Sequence, residues 1–303
     1  MGKTNQRIKD SSSDKLFNVF LWILCSVIVL LTLYPIYFVL IASISNPAAV
    51  ANGSVWLFPQ GITLAGYQEI LNDERIWNGL KNTMIYSFGG TAISLLFTIP
   101  AGYALSRPDF KARKALMFFF VFTMFFSGGL IPTYLTVKEF GLTNTIWVML
   151  IPFSVSVFNL IITRVFFQST IPKELLESAK LDGCSDFQFF TKIAVPLSKA
   201  LIAVMALYYG VGYWNEYMKA LIYLNDSALY PLQLVLRDIL VMNQTFGSGG
   251  GATMITSGDA TAQQKGDLIK YGVIVVSTLP IMIIFPFVQK YFEKGVMIGS
   301  IKG

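Results

Sequence analysis

Few side chains in this sequence are equipped for chemistry. It contains no histidine, which excludes a histidine-based catalytic triad, a histidine-ligated zinc and a histidine proton relay. Cys25 lies in an apolar run and Cys184 in a polar, lysine-bearing segment, so the two thiols are expected at different depths and unpaired. Gly2, Lys3 and Thr4 have the order that ends a phosphate-binding loop. Neither the strand nor the glycine that the loop needs comes before them, so no nucleotide site and no metal site is expected in this chain.

Two constellations remain. Glu216 is the one carboxylate well within a charge-free stretch, and its neighbours are Trp214, Asn215 and Tyr217, with Tyr208, Tyr209 and Tyr213 a turn or two earlier. A charge at that depth must face a cavity or a partner. Aromatic faces beside amides suit sugars, whose ring faces are apolar and whose hydroxyls need hydrogen-bond partners. The same residues equally fit an interfacial aromatic belt. Asn82, Asn159 and Gln168 are polar residues that either line a path or join helices.

The second constellation runs over residues 169–196. Thr170 is the expected cap of a helix, with Pro172 in its first turn, Glu174 and Glu177 near its positive end and Gly183 as its terminator. Ser185 and Gln188 have capping-box spacing for a second short helix, which Pro196 is expected to end. Leu175, Leu176, Ala179, Phe187, Phe190 and Ile193 are more apolar surface than a solvated loop needs. The pair therefore either docks onto protein or lies on lipid as an amphipathic hairpin.

The elements that must position these residues are membrane spans. Of 303 residues, 54% are hydrophobic and only 13% charged, against about 25% charged in soluble proteins. The mean hydropathy is +0.59. Stretches long enough to cross about 30 Å of hydrocarbon occur at 16–44, 80–106, 115–137, 142–163, 200–223 and 271–289. The first is too long for a signal-peptide core and no small-residue cleavage site follows it, so it is expected to remain as a helix. Basic residues cluster at 3–15, 107–114, 164–199 and 290–302, which puts those segments and both termini in the cytoplasm. The net charge of +6 therefore reflects membrane topology and not nucleic-acid binding. The expected organisation is a cytoplasmic segment 1–15, a six-span all-helical domain 16–289 with an outer loop at about 224–268, and a cytoplasmic tail 290–303. Gly247 to Gly251 and the polar residues after them read as a flexible loop tip.

The stretch Glu177-Ser178-Ala179-Lys180-Leu181-Asp182-Gly183, followed by Phe190, Ile193 and Pro196, resembles the EAA loop of ATP-binding-cassette (ABC) importer permeases. Its place between the fourth and fifth of six spans is the context that motif requires. Ser178 replaces one small residue of the motif by another. Over essentially the whole chain the sequence is similar to the type I carbohydrate importer permeases, MalG-like, and within them to the LplC-like branch for complex sugars. The tail from Gln289 to Gly303 is the most distinctive part of that match.

The resemblance implies a type I ABC importer permease subunit of a plasma membrane, importing an oligosaccharide or complex glycan by alternating access. Its implied partners are a homologous second permease, two copies of an ATPase that binds the ATP and Mg, and an extracytoplasmic sugar-binding lipoprotein. Glu177, Ser178, Ala179, Asp182, Gly183, Phe190, Ile193 and Pro196 would couple to the ATPase. Gly295, Gly299, Lys302 and Gly303 would reach the ATPase interface, unless the tail is only a frayed terminus. Phe246, Gly247, Gly249 and Gly250 would dock the binding protein, unless that loop is only a linker. Tyr209, Tyr213, Trp214, Asn215, Glu216 and Asn159 would line the substrate path. The rivals are an ion-coupled secondary transporter, which would commonly show repeated halves and ionisable residues near the midplane, and an intramembrane transferase, which needs clustered catalytic groups. Neither accounts for the EAA loop.

Overall fold

The computed structural model describes residues 11–247, 269–283 and 286, and every regular element among them is helical. The chain divides into two compact units, one of residues 1–70 and 243–275 and one of residues 71–242 and 276–303.

In the first unit, α1 (Ser12–Ser43) realises the first expected span. Asp14 closes its start by accepting the Ser11 backbone N–H at 3.0 Å. At 1.5 Å per residue it is about 48 Å long, and its side chains from Leu16 to Ile36 are exposed, as suits a helix facing lipid or another subunit. The next segment forms α2 (Pro47–Ala51) and α3 (Ala65–Asn72). Asn46 caps α2 through the Ala48 N–H at 2.9 Å, and the Tyr67 hydroxyl lies 2.8 Å from Ser43 Oγ. Phe38 meets Tyr271 edge to face at 6.0 Å.

The second unit is built around α4 (Glu74–Ser106), capped by Asp73, whose side chain accepts the Arg75 N–H at 2.9 Å. Glycines let neighbours approach α4 closely. A Cβ at Gly90 would overlap the Tyr213 ring, and one at Gly102 would overlap the Thr163 side chain. Small residues at helix contacts serve this purpose in membranes, where packing takes over from the hydrophobic effect.

Three of the expected spans are not single helices. The apolar stretch 115–137 forms α5 (Arg113–Phe125) and α6 (Leu130–Glu139), bent by 118°. The stretch 142–163 forms α7 (Ile146–Leu150) and then α8 (Val157–Thr170). Gly129, at φ +87, permits the first break. At the second, Pro152 has no backbone N–H to donate and Phe153 adopts φ +64, rare for a non-glycine residue.

After α8, the helices α9 (Lys173–Leu181) and α10 (Asp186–Phe189) form a hairpin. It runs on through a π-helical turn, Phe190–Ala194, into α11 (Val195–Leu197). Helix α12 (Lys199–Trp214) then turns away by 78°. The stretch 200–223 ends in a third break, after which α13 (Met218–Tyr223) follows.

The expected outer loop 224–268 is partly helical. It holds a 3₁₀ turn at Ser227–Leu229 and α14 (Leu232–Gly247), on which Leu232, Leu234, Val235, Leu236 and Ile239 are buried. Closely spaced apolar residues at 232–239 give α14 a buried face that the polar composition further along the segment conceals. Phe246 and Gly247 end this helix, while Gly249 and Gly250 lie outside the described residues. A last apolar helix, α15 (Ile269–Ile283), matches the start of the sixth expected span. Gly295, Gly299, Lys302 and Gly303 also lie outside the described residues.

Candidate functional site: a midspan cavity and a docked hairpin

The hairpin departs from expectation at its start. Thr170 ends α8, and Pro172 occupies the cap position of α9. At the turn, Gly183 stands at φ +75, its N–H bonds Lys180 O at 3.1 Å and the Cys184 N–H bonds Ala179 O at 2.9 Å. These two bonds make a Schellman stop, which needs a residue that tolerates the left-handed region. The second helix has its reciprocal box, with Ser185 N–H to Gln188 Oε1 at 3.1 Å and Gln188 N–H to Ser185 Oγ at 3.3 Å.

The hairpin docks onto protein. Ala179, Phe189 and Ala194 are buried in one core cluster with Ile99, Tyr103 and Phe167. The Tyr103 ring is the hub, 5.4 Å from Phe167, 6.4 Å from Phe189 and 5.0 Å from Phe190. Burying an aromatic side chain such as Phe189 stabilises by about 1.5–3 kcal/mol, more than an exposed ion pair contributes. Phe190 and Ile193 are half-buried at its edge, whereas Glu177, Ser178, Asp182, Gly183 and Pro196 are exposed. Leu181 and Phe187 stand out most, 90% and 75% exposed, an apolar tip that water does not favour.

Ion pairs join the hairpin to the end of α4. Arg107 is almost buried and grips Asp109 bidentately, with Nε to Oδ1 at 2.9 Å. Its Nη1 reaches Asp186 at 2.7 Å and the Tyr103 hydroxyl at 3.3 Å. Lys180 adds a 3.2 Å pair to Asp109. The Arg107 hydrogen bonds, with help from Lys180, hold the Asp109 carboxyl well below the usual carboxylate range. Asp109 in turn raises the Arg107 guanidinium.

The second site lies deep in the spans. A cavity of about 260 Å³ is lined by Asn159, Tyr208, Tyr209, Tyr213, Glu216 and Lys219, with Phe153, Ser156 and Gly212. A neighbouring cavity of about 370 Å³ shares Phe153, Glu216 and Lys219, and adds Ser127, Gly129 and Leu130. All three helix breaks therefore border one space. Backbone that is not helical is tolerated at membrane depth only where it is buried in protein or lines a water-filled cavity. The depth follows from α4: the Tyr213 hydroxyl lies 3.2 Å from Ser94 Oγ, and Ser94 is about 18 Å along the helix from Ser106. That is near the middle of a layer of about 30 Å of hydrocarbon.

The lining is polar and aromatic. Lys219 Nζ lies 3.5 Å from Glu216 Oε2, 5.1 Å from the Tyr213 ring centre and 5.9 Å from that of Phe153. Glu216 Oε1 also accepts the Lys219 backbone N–H at 3.0 Å. The Tyr209 hydroxyl lies 2.7 Å from Thr98 Oγ1 and accepts the Ser156 N–H at 3.2 Å.

The structure thus brings together four of the six expected path residues, Asn159, Tyr209, Tyr213 and Glu216. The other two are placed elsewhere. Trp214 is buried and donates its indole N–H to Ser277 O at 3.0 Å, which also removes it from an interfacial belt. Asn215 is exposed and bonds Val211 O at 2.9 Å. Asn82 joins elements, donating to Ala228 O and Tyr230 O, and Gln168 lines a separate cavity beside Arg107. Sequence reasoning missed Lys219 and Phe153. The spacing Glu216–Lys219, one helical turn, was the available signal for the first; nothing local marked the second.

Residues 94–298 match the family described as the binding-protein-dependent transport system inner membrane component. The chain is 41% identical to protein LplC of Bacillus subtilis (strain 168), over 90% of each sequence. It is 40% identical to the polygalacturonan/rhamnogalacturonan transport system permease protein YtcP of the same organism, over 96% of this chain and 99% of that one. A chain in the crystal structure of a bacterial ABC transporter involved in the import of the acidic polysaccharide alginate superposes with a TM-score of 0.84. It is 33% identical and covers 94% of this chain and 99% of its own length.

Proposed function

Because this chain belongs to the binding-protein-dependent transport-system inner-membrane components, it is a permease subunit of an ABC importer, and we propose that it carries an acidic oligosaccharide through the Glu216–Lys219 cavity. It is a membrane transport component and not itself an enzyme, and it works with a partner permease, an ATPase and a substrate-binding protein. Membership sets aside the ion-coupled transporter and the transferase.

In the proposed assembly the importer holds a second, homologous permease, two ATPase copies that bind ATP and Mg, and an extracytoplasmic sugar-binding lipoprotein. Both termini are cytoplasmic and the membrane is the plasma membrane, with the spans between about 16 and 289. Oligosaccharide as the class is supported by the relatives' names, and acidity by two of them, one named for polygalacturonan and rhamnogalacturonan and one for acidic alginate. Lys219 supplies a cation at midspan, and the Tyr213 and Phe153 rings beside it suit the apolar face of a sugar.

The exposed row Glu177, Ser178, Asp182 and Gly183, with Leu181 and Phe187, seats in the ATPase, while Ala179, Phe190 and Ile193 hold the hairpin to the spans and Pro196 leads it back toward α12. Gly295 to Gly303 enter the ATPase interface, and the segment around Phe246 to Gly250 docks the binding protein.

The observation that carries the path is the convergence of three helix breaks on two adjoining cavities that share Phe153, Glu216 and Lys219. Uptake by the complete importer in proteoliposomes tests it. A labelled oligogalacturonide should enter in an ATP-dependent manner, faster than a neutral glucan oligosaccharide of equal length. Preference for the neutral oligosaccharide would remove the acidic assignment, and normal uptake by Asn159→Leu would remove the path.

A further inference from the structure

The pairs that Arg107 and Asp109 make with Asp186 and Lys180 stand apart from the hydrophobic docking of the hairpin, and they have a directional consequence. Each helix of the hairpin makes one ion pair to the short segment that ends α4: Lys180 of α9 to Asp109, and Asp186 of α10 to Arg107. Arg107 is fixed in turn by its bidentate grip on Asp109 and by Tyr103, one turn back on α4. About 14 and 20 Å back along the same helix, Thr98 and Ser94 hold the Tyr209 and Tyr213 hydroxyls that border the midspan cavity.

We propose that Arg107 is a positioning residue for energy coupling: it fixes the orientation of the hairpin on α4, so that movement of the hairpin turns α4 and with it the tyrosines of the cavity. This rests on the reading of the hairpin as the ATPase contact. A planar guanidinium suits the role because its fork holds Asp109 with two donors and still reaches Asp186, which a lysine at this position cannot do. The aromatic packing around Tyr103 keeps the hairpin attached whatever its angle, so attachment and orientation rest on different contacts. Two exposed acids on one nearly buried arginine are a weak source of stability, which leaves geometry as their use.

The test uses the complete importer with its binding protein in proteoliposomes. The double variant Lys180→Gln, Asp186→Asn removes both pairs from hairpin to α4 while leaving Arg107 paired with Asp109. The expected result is normal copurification of the ATPase and retained basal ATP hydrolysis. Stimulation by loaded binding protein and oligogalacturonide transported per ATP should both fall at least about fivefold. Lys192→Gln, which removes an exposed charge of the hairpin's π-helical turn, should behave as wild type. Wild-type stimulation and stoichiometry in the double variant would overturn the proposal. So would loss of the ATPase from the double variant, since the pairs would then serve attachment, and so would an equal loss in Lys192→Gln. Failure of the wild-type chain to retain an ATPase would instead refute the reading of the hairpin on which the proposal rests.

Discussion

Lys219 and Glu216 form an ion pair of 3.5 Å at midspan depth, closed on one side by the rings of Tyr213 and Phe153 and open on the other to a polar cavity. In hydrocarbon neither charge survives alone. The pair sits where α12 gives way to α13, so one carboxylate both neutralises the ammonium and caps the new helix through the Lys219 N–H.

Removing one member of the pair should therefore do more harm than removing both. Glu216→Gln leaves a half-buried ammonium without its partner, which costs less than the about 3–5 kcal/mol of breaking a fully buried pair but is still destabilising. We expect the yield of assembled importer to fall in Glu216→Gln and to recover in Glu216→Gln, Lys219→Met, with uptake lost in both. Size-exclusion chromatography and transport read the two effects separately. Equal yields for the single and double variants would contradict the account.

Close approach of α4 and α12 depends on Gly90. A methyl group there overlaps the Tyr213 ring, so Gly90→Ala should destabilise the protein by about 1–3 kcal/mol, lowering the thermal midpoint. At Gly212, on the same helix as Tyr213, a methyl group would meet no atom within 4 Å. Gly212→Ala should leave the midpoint unchanged or raise it, since alanine favours helix by about 1 kcal/mol. Similar losses in both variants would show that the Tyr213 contact does not set the result.

Just beyond the end of α4, the depressed Asp109 carboxyl predicts a pH dependence with a definite sign. A lowered native value contributes stability that is fully present above the unfolded value, about 3.9, and is lost as pH falls toward the lowered one. The stability difference between wild type and Asp109→Asn should be constant from about pH 8 to about pH 5 and shrink below about pH 4. Unfolding curves across that range measure it. A difference that shrinks between about pH 7 and about pH 5 would assign the effect to another group.

The apolar runs and the hairpin were legible because each leaves a local mark. Charge-free runs mark α1 and α4, and the glycine stop and capping box at Gly183 and Ser185–Gln188 appear in the structure bond for bond. Of the three breaks only the one at Pro152 was legible, because a proline within a span marks a kink. Phe126 to Gly129 and Ile151 to Phe153 carry no charge, like the apolar runs around them, and hydropathy measures transfer into lipid and not backbone continuity. The candidate path was read in part. Tyr209, Tyr213 and Glu216 recur at helical spacing, but Trp214 turns toward Ser277, and no local pattern announces that contact. Arg107 was counted among the cytoplasmic basic residues, since its partner Asp186 is distant in sequence and only folding brings the two together.

If the three breaks enclose a water-accessible path at midspan, a thiol placed on its wall must react with reagents that cannot enter lipid. Cysteine accessibility tests this most directly, with Ser156→Cys, Asn159→Cys and Leu160→Cys made singly in a Cys25→Ser, Cys184→Ser background and assembled with the partner subunits. Ser156 and Asn159 line the cavity, whereas Leu160, the next residue, is fully buried. A charged, membrane-impermeant thiosulfonate should label positions 156 and 159, oligogalacturonide should slow that labelling, and position 160 should stay unlabelled. Inert thiols at both 156 and 159 in an importer that still transports would contradict the account.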